Sequence, residues 1–152
     1  MSNTFLNDGI SQQDIADRIT FRLHTASRLV QQLSQQKLKA LELSQAQWRA
    51  LSAICSQPGT TLQQLTAFAQ ISQPLMSQAV KSLEERALIE RKTPEHDKRS
   101  SVLNATASGQ ALGQQAYAAM MEVESELKAI LGERDATQLK ALLDSISDSL
   151  KP

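Results

Sequence analysis

Between Glu42 and Lys81 the chain carries one charged side chain, Arg49. A segment so poor in charge has little free surface, because exposed helix faces are normally covered by ionised groups. The same segment supplies its own punctuation. Ser44, then Thr60 or Thr61, then Ser72 each precede an apolar-periodic run, where a hydroxyl accepts a free backbone N–H. Pro58-Gly59 stops the first run, and Pro74 falls in a first turn, where its missing N–H costs little. Three short helices are therefore predicted. The first holds Trp48, Leu51, Ala53, Ile54 and Cys55, and the second holds Leu62, Leu65, Ala67, Phe68 and Ala69. The third runs from about Gln73 to Arg86. They suit a compact tri-helical unit.

The rest of the chain frames that unit. Residues 1–12 read as a frayed arm. From Asp14 to about Ala40, Ile15, Ile19, Leu23, Ala26, Leu29, Val30 and Leu33 recur at helical steps and predict one long helix. Beyond the unit, Leu88 to Thr93 and Ser101 to Ala105 read as two strands. The charged, turn-rich tip Pro94 to Ser100 lies between them. Thr106 caps a helix over 107–131, Gly132 ends it, and a last helix covers 135–150. With 5 Gly, 4 Pro and 3% aromatics in 152 residues, a sandwich or barrel is disfavoured. The expected fold is mainly α with a small β-hairpin wing, forming a single domain over 1–152. The stripes of 14–40 and 107–150 exceed what a tri-helical core can cover, so these helices are expected to intertwine with a second copy as a homodimer.

Several function classes drop out. His24, His96 and Cys55 are far apart and show no metal-ligand spacing. No Gly-rich phosphate loop, no Gly-x-Ser-x-Gly and no Cys–His neighbour supports catalysis or a cofactor. A lone cysteine suits a reducing compartment. With no visible signal peptide and no membrane-length apolar run, a cytoplasmic location is expected. Net charge is zero but polarised. Residues 18–106 hold 12 Lys/Arg against 6 Asp/Glu, while both ends are acidic. A central cationic excess suits an anionic partner, although chance clustering gives the same pattern.

Three short helices followed by a charged hairpin form the pattern of a winged helix-turn-helix over 43–106, with the recognition helix at about 73–86 and the wing at about 88–105. On a wheel of about 100° per residue, Leu75, Met76, Ala79, Val80, Leu83 and Ala87 share one face. Gln73, Pro74, Ser77, Gln78 and Lys81 lie opposite. Double-stranded DNA is the matching partner. Gln73 and Gln78 can each present a bidentate amide to adenine, Ser77 a hydroxyl to a base or phosphate, and Lys81 a cation to phosphate or guanine. Ser72 stands at the helix N-terminus, which favours a nearby phosphate. The plain alternative is a solvated face in a chain with 18 glutamines, but the acids Glu84 and Glu85 fall only in the C-terminal half. In the wing, Arg91, Lys98 and Arg99 suit the DNA backbone or the minor groove, and Asp97 can orient Arg99.

Three stretches carry a family resemblance: Leu43-Ser44-Gln45-Ala46-Gln47-Trp48-Arg49-Ala50-Leu51, Leu62-Gln63-Gln64-Leu65-Thr66, and Ser72 to Arg91. With Asp97-Lys98-Arg99 and with Thr106 followed by Gly109, this ordered set resembles the multiple antibiotic resistance regulator (MarR) family. The Asp-x-Arg of the wing is that family's signature. The resemblance implies a homodimeric winged-helix transcription regulator, usually a repressor, on a palindromic operator. It implies that the helix matching Gln73–Arg86 enters the major groove and that Arg99 reaches the minor groove. Ala87 stands where many members have Gly, and Asn104-Ala105-Thr106 replaces a commoner aliphatic-Leu-Thr.

The resemblance also implies an input, most often a small aromatic or phenolic anion bound between the dimerisation helices and the winged unit. Arg18, Arg22, His24, Arg28, Trp48 and Arg49 are candidates to line that crevice, Trp48 by stacking and the cations by neutralising a carboxylate. Trp48 equally suits core packing, and the arginines a solvated face. Two other readings stand beside this one. Cys55 could be a redox switch, although oxidant sensors of the family place their cysteine near the N-terminal helix. The chain could also be a protein-interaction module that binds no DNA.

Overall fold

The computed structural model describes Gly9, residues 11–97 and residues 100–152. Among them are seven helices and one hairpin. α1 (Gln12–Ala16) opens with a capping box, in which Ser11 Oγ accepts from the Asp14 amide and the Asp14 carboxylate accepts from Ser11 N–H. The long helix expected from Asp14 to Ala40 is broken, and α2 runs from Ile19 to Lys39. Arg18 takes extended backbone with ψ 140° at the corner. The Asp17 carboxylate holds that corner, accepting from Gln13 Nε2 at 3.2 Å and Arg22 Nη2 at 3.0 Å. An anion there faces the positive end of α2, and that favours a new helix start over continuation.

α3 (Gln45–Ser56) and α4 (Leu62–Ala69) each begin with a neutral capping box. Ser44 Oγ accepts from the Gln47 amide while Gln47 Oε1 accepts from Ser44 N–H at 2.8 Å. Thr61, rather than Thr60, makes the same pair with Gln64. Gln70 then takes a left-handed conformation, φ 52°, and turns the chain into α5 (Gln73–Glu85). Ser72 occupies the N-cap of α5 without a side-chain cap bond. The second helical residue is Pro74, so one of the two amides a cap hydroxyl would normally reach is missing.

Beyond the Arg86 C-cap of α5 the chain turns at Ala87, whose φ is +55°. The Leu88 N–H returns to the Leu83 carbonyl at 3.0 Å, closing the C-terminal turn. A β-carbon in this region is strained relative to glycine. Ala87 is exposed, so replacement disturbs no packing. Ala87→Gly is expected to stabilise the fold by about 1 kcal/mol. Thermal melting checks this, and a lowered midpoint would overturn it.

β1 (Ile89–Lys92) pairs antiparallel with β2 (Val102–Ala105), Ile89 opposite Ala105 and Lys92 opposite Val102. The hairpin is anchored to the α3–α4 turn. Leu103 donates to the Thr60 carbonyl at 2.8 Å, and Gly59 donates to the Leu103 carbonyl at 3.0 Å. α6 (Ala107–Leu131) and α7 (Glu133–Leu150) complete the chain, with Gly132 at φ 82° between them. Thr106 Oγ1 caps α6 through the Gly109 amide and donates to the Ala87 carbonyl at 2.8 Å, tying α6 to the end of α5.

One core joins these elements. Leu38 from α2, Ala50, Leu51 and Ile54 from α3, Leu65 from α4, Met76, Val80 and Leu83 from α5, and Leu103 from β2 are almost wholly buried. Outside it, the terminal helices present apolar side chains to solvent in the single chain. They include Ile19 and Leu29 on α2, Tyr117 and Ile130 on α6, and Leu139, Leu142, Leu143, Ile146 and Leu150 on α7.

Candidate nucleic-acid interface

α5 is held from behind and left open in front. Met76, Ala79, Val80 and Leu83 pack into the core. Gln47 Nε2 donates to Ser82 Oγ at 2.7 Å, clamping α5 to the start of α3. Ser72, Gln73, Pro74, Gln78 and Lys81 are exposed, and Ser77 is half-buried. Lys81 Nζ lies 3.9 Å from Glu85, with both side chains largely solvated, so this pair adds little rigidity. The N-terminal half of α5 thus offers two amides and a hydroxyl with no carboxylate among them. Two residues depart from the wheel. Leu75 and Ala87 belong to its apolar face, yet Leu75 is 47% exposed and Ala87, beyond the last turn, is exposed as well. The buried stripe is narrower than the wheel allowed, because the first turn of α5 runs beyond the edge of the core.

The wing adjoins this helix through a fork of two parallel bonds. Arg91 Nε and Nη2 donate to Glu84 Oε1 and Oε2 at 3.0 and 3.1 Å. The Glu84 carboxylate holds the guanidinium charged, raising its pKa further. Arg91, expected as a phosphate or groove contact, straps β1 to the C-terminal half of α5 and stays partly exposed. The pairing was open to inspection in the sequence, where Glu84 faces a strand entered a few residues later. At the tip, Asp97 accepts from Ser100 Oγ at 3.1 Å. Lys98 and Arg99 lie outside the described residues.

The six candidate effector residues do not converge in the single chain. Trp48 packs against the core. Arg49 Nη1 donates to the Ala69 carbonyl at 3.1 Å, closing the end of α4. Arg22 is paired with Asp17 and borders a shallow groove of about 390 Å³ formed by α1 and α2 with Phe21, Thr25 and Leu29. Arg18, His24 and Arg28 are exposed. A charge pattern along one helix could not reveal that Arg49 serves a backbone carbonyl.

Cys55 is wedged between α3 and α6, its thiol 3.8 Å from the Gly109 carbonyl. Burial pushes the thiol pKa up, which disfavours the reactive thiolate. Among the described residues no group of three or more His, Cys, Asp or Glu is placed to hold a metal ion. No helix among them is long and apolar enough to cross a membrane.

Residues 41–100 match the profile of the MarR family. Over this segment the chain is similar to the MarR family, and its fold is a winged helix. The matched segment spans the tri-helical unit and most of the wing. Similarity to solved structures extends over the terminal helices as well. The transcriptional repressor CouR bound to a 23-mer DNA duplex is 22% identical, with a TM-score of 0.83 over 91% of this chain and 99% of that one. The MepR–DNA complex of S. aureus is 26% identical, with a TM-score of 0.80 over 88% of this chain and 98% of that one. BpsR of Bordetella bronchiseptica, whose DNA binding is regulated by 6-hydroxynicotinic acid, is 20% identical, with a TM-score of 0.82 over 92% of this chain and 99% of that one. The chain therefore shares its architecture with these DNA-bound proteins over about nine-tenths of its length.

Proposed function

We propose that this chain is a cytoplasmic, sequence-specific DNA-binding transcriptional regulator, a repressor that acts as a homodimer on an inverted-repeat operator. The observation that carries the reading is the front of α5, where Gln73, Pro74, Ser77, Gln78 and Lys81 face outward from a helix otherwise sealed into the core. A groove-reading helix needs its N-terminal half free and rich in groups that bond base edges. The DNA-bound state of CouR and MepR supports the same role. Lys98 and Arg99 would serve the backbone or the minor groove, with Asp97 orienting Arg99.

The exposed stripes of α2, α6 and α7 are the surface that a second copy would cover. Two copies then set two recognition helices about one helical turn of DNA apart. A small aromatic acid would release the operator; regulation of DNA binding by such an acid has a precedent in BpsR. Such a ligand shifts the equilibrium only by binding one helix spacing better than the other. Arg22 and Phe21 line the α1–α2 groove, where a ligand carboxylate would compete with Asp17 for the Arg22 guanidinium. The thiol-switch alternative loses ground to the burial of Cys55.

The test is selection of purified protein against random duplex DNA near physiological salt, followed by salt titration of the enriched site. An enriched inverted repeat is expected, with affinity falling steeply as salt rises because phosphate contacts release counterions. Absence of any enriched site, from protein shown to be folded and dimeric, would overturn the reading in favour of an interaction module.

A further inference from the structure

Leu75 is the one large apolar side chain of α5 that the core does not take. It occupies the first turn, the part of the helix that leads into a groove. At about 100° per residue it borders Gln78, three positions on, while Pro74 lies beside it on the solvent side. A half-exposed leucine at this place gains nothing from water and has no hydrogen bond to offer. It matches one group in the major groove. Thymine alone among the bases presents a methyl group there, and apolar side chains distinguish thymine by contact with it. We infer that Leu75 is a specificity-determining residue that packs on the C5-methyl group of a thymine in each operator half-site, beside the base edge read by Gln78.

This rests on the DNA-reading function proposed above. It predicts something that function does not: sensitivity to a methyl group that makes no hydrogen bond and carries no charge. After selection has defined the operator, each thymine of a half-site is replaced in turn by deoxyuridine, which removes the methyl and leaves pairing and charge unchanged. Affinities are measured for the wild type and for Leu75→Ala. Because Leu75 is exposed, Leu75→Ala is expected to keep the wild-type melting midpoint.

One thymine position is expected at which deoxyuridine in both half-sites weakens wild-type binding by about ten-fold, roughly three- to five-fold per methyl. Leu75→Ala should bind the thymine and deoxyuridine sites equally at that position. An operator indifferent to deoxyuridine at every position would overturn the inference and leave the DNA-reading function standing. So would a methyl effect of the same size in Leu75→Ala. Failure to enrich any DNA would overturn both.

Discussion

Gly109→Ala is expected to lower the melting midpoint by roughly 6–12 °C, equivalent to about 3 kcal/mol in a domain of this size. Gly109 lies in the first turn of α6, where a β-carbon would fall inside the Leu88 carbonyl group. The obstacle is backbone, so no rotamer change relieves it. Nor can that carbonyl move freely, since it accepts from the Thr106 amide at 3.0 Å. Leu88 leads into β1, and Thr106 straps α6 to Ala87. Forcing α6 away would disturb the wing and the end of α5 together, so operator affinity should fall with stability. Gly113, one turn on, is a gentler case. Its added methyl meets Cys55 Sγ at 2.9 Å, a side-chain atom. Thermal denaturation followed by circular dichroism decides. A Gly109→Ala midpoint within about 2 °C of wild type would refute the close-approach argument.

Leu142→Glu combined with Ile146→Glu is expected to convert the protein to monomer and weaken operator binding by at least a hundred-fold. Leu139, Leu142, Leu143, Ile146 and Leu150 recur at three- and four-residue steps on α7, and all are between 40% and 78% exposed. If a second copy covers this stripe, two carboxylates buried there without partners cost several kcal/mol, on the order of a thousand-fold in dimerisation. The tri-helical unit has its own core and should keep its helices. Sedimentation at micromolar concentration reads the assembly, and operator titration reads the consequence. A double variant that stays dimeric would place the two-fold interface elsewhere.

Most of the architecture was legible because it is written in local chemistry. Ser44, Thr61 and Thr106 announce helix starts, Pro58-Gly59 and Gly132 announce stops, and the span from Leu43 to Val80, charged at Arg49 alone, announces a packed unit. The glutamines three residues after Ser44 and Thr61 complete capping boxes, a signal that the spacing in the sequence already carries. What could not be read locally involves groups distant in sequence. Thr60 pairs with Leu103, more than forty residues on, and gives the wing its anchor. The corner at Asp17 interrupts an unbroken apolar stripe, since periodicity records which face is buried and not whether the backbone continues. In the site, the wheel spacing alone puts Gln73 and Gln78 on the solvent face, whereas charge alone does not reveal that Arg91 pairs with Glu84 or that Arg49, a candidate for the effector crevice, donates to the Ala69 carbonyl. Leu75 is the complementary case, an apolar residue that the pattern assigns to the interior and the fold leaves 47% exposed.

The neutral capping boxes have a consequence for how this molecule behaves in electrolyte. Gln47 and Gln64 do with amides what glutamate commonly does with a carboxylate. The joints that start α3 and α4 therefore contain no ion for dissolved salt to shield or for a falling pH to protonate. The scaffold behind α5 should hold its shape from dilute buffer to molar salt while grip on a polyanion is lost. Ionic strength then acts on this protein as a clutch: it disengages the reading surface without slackening the frame that carries it.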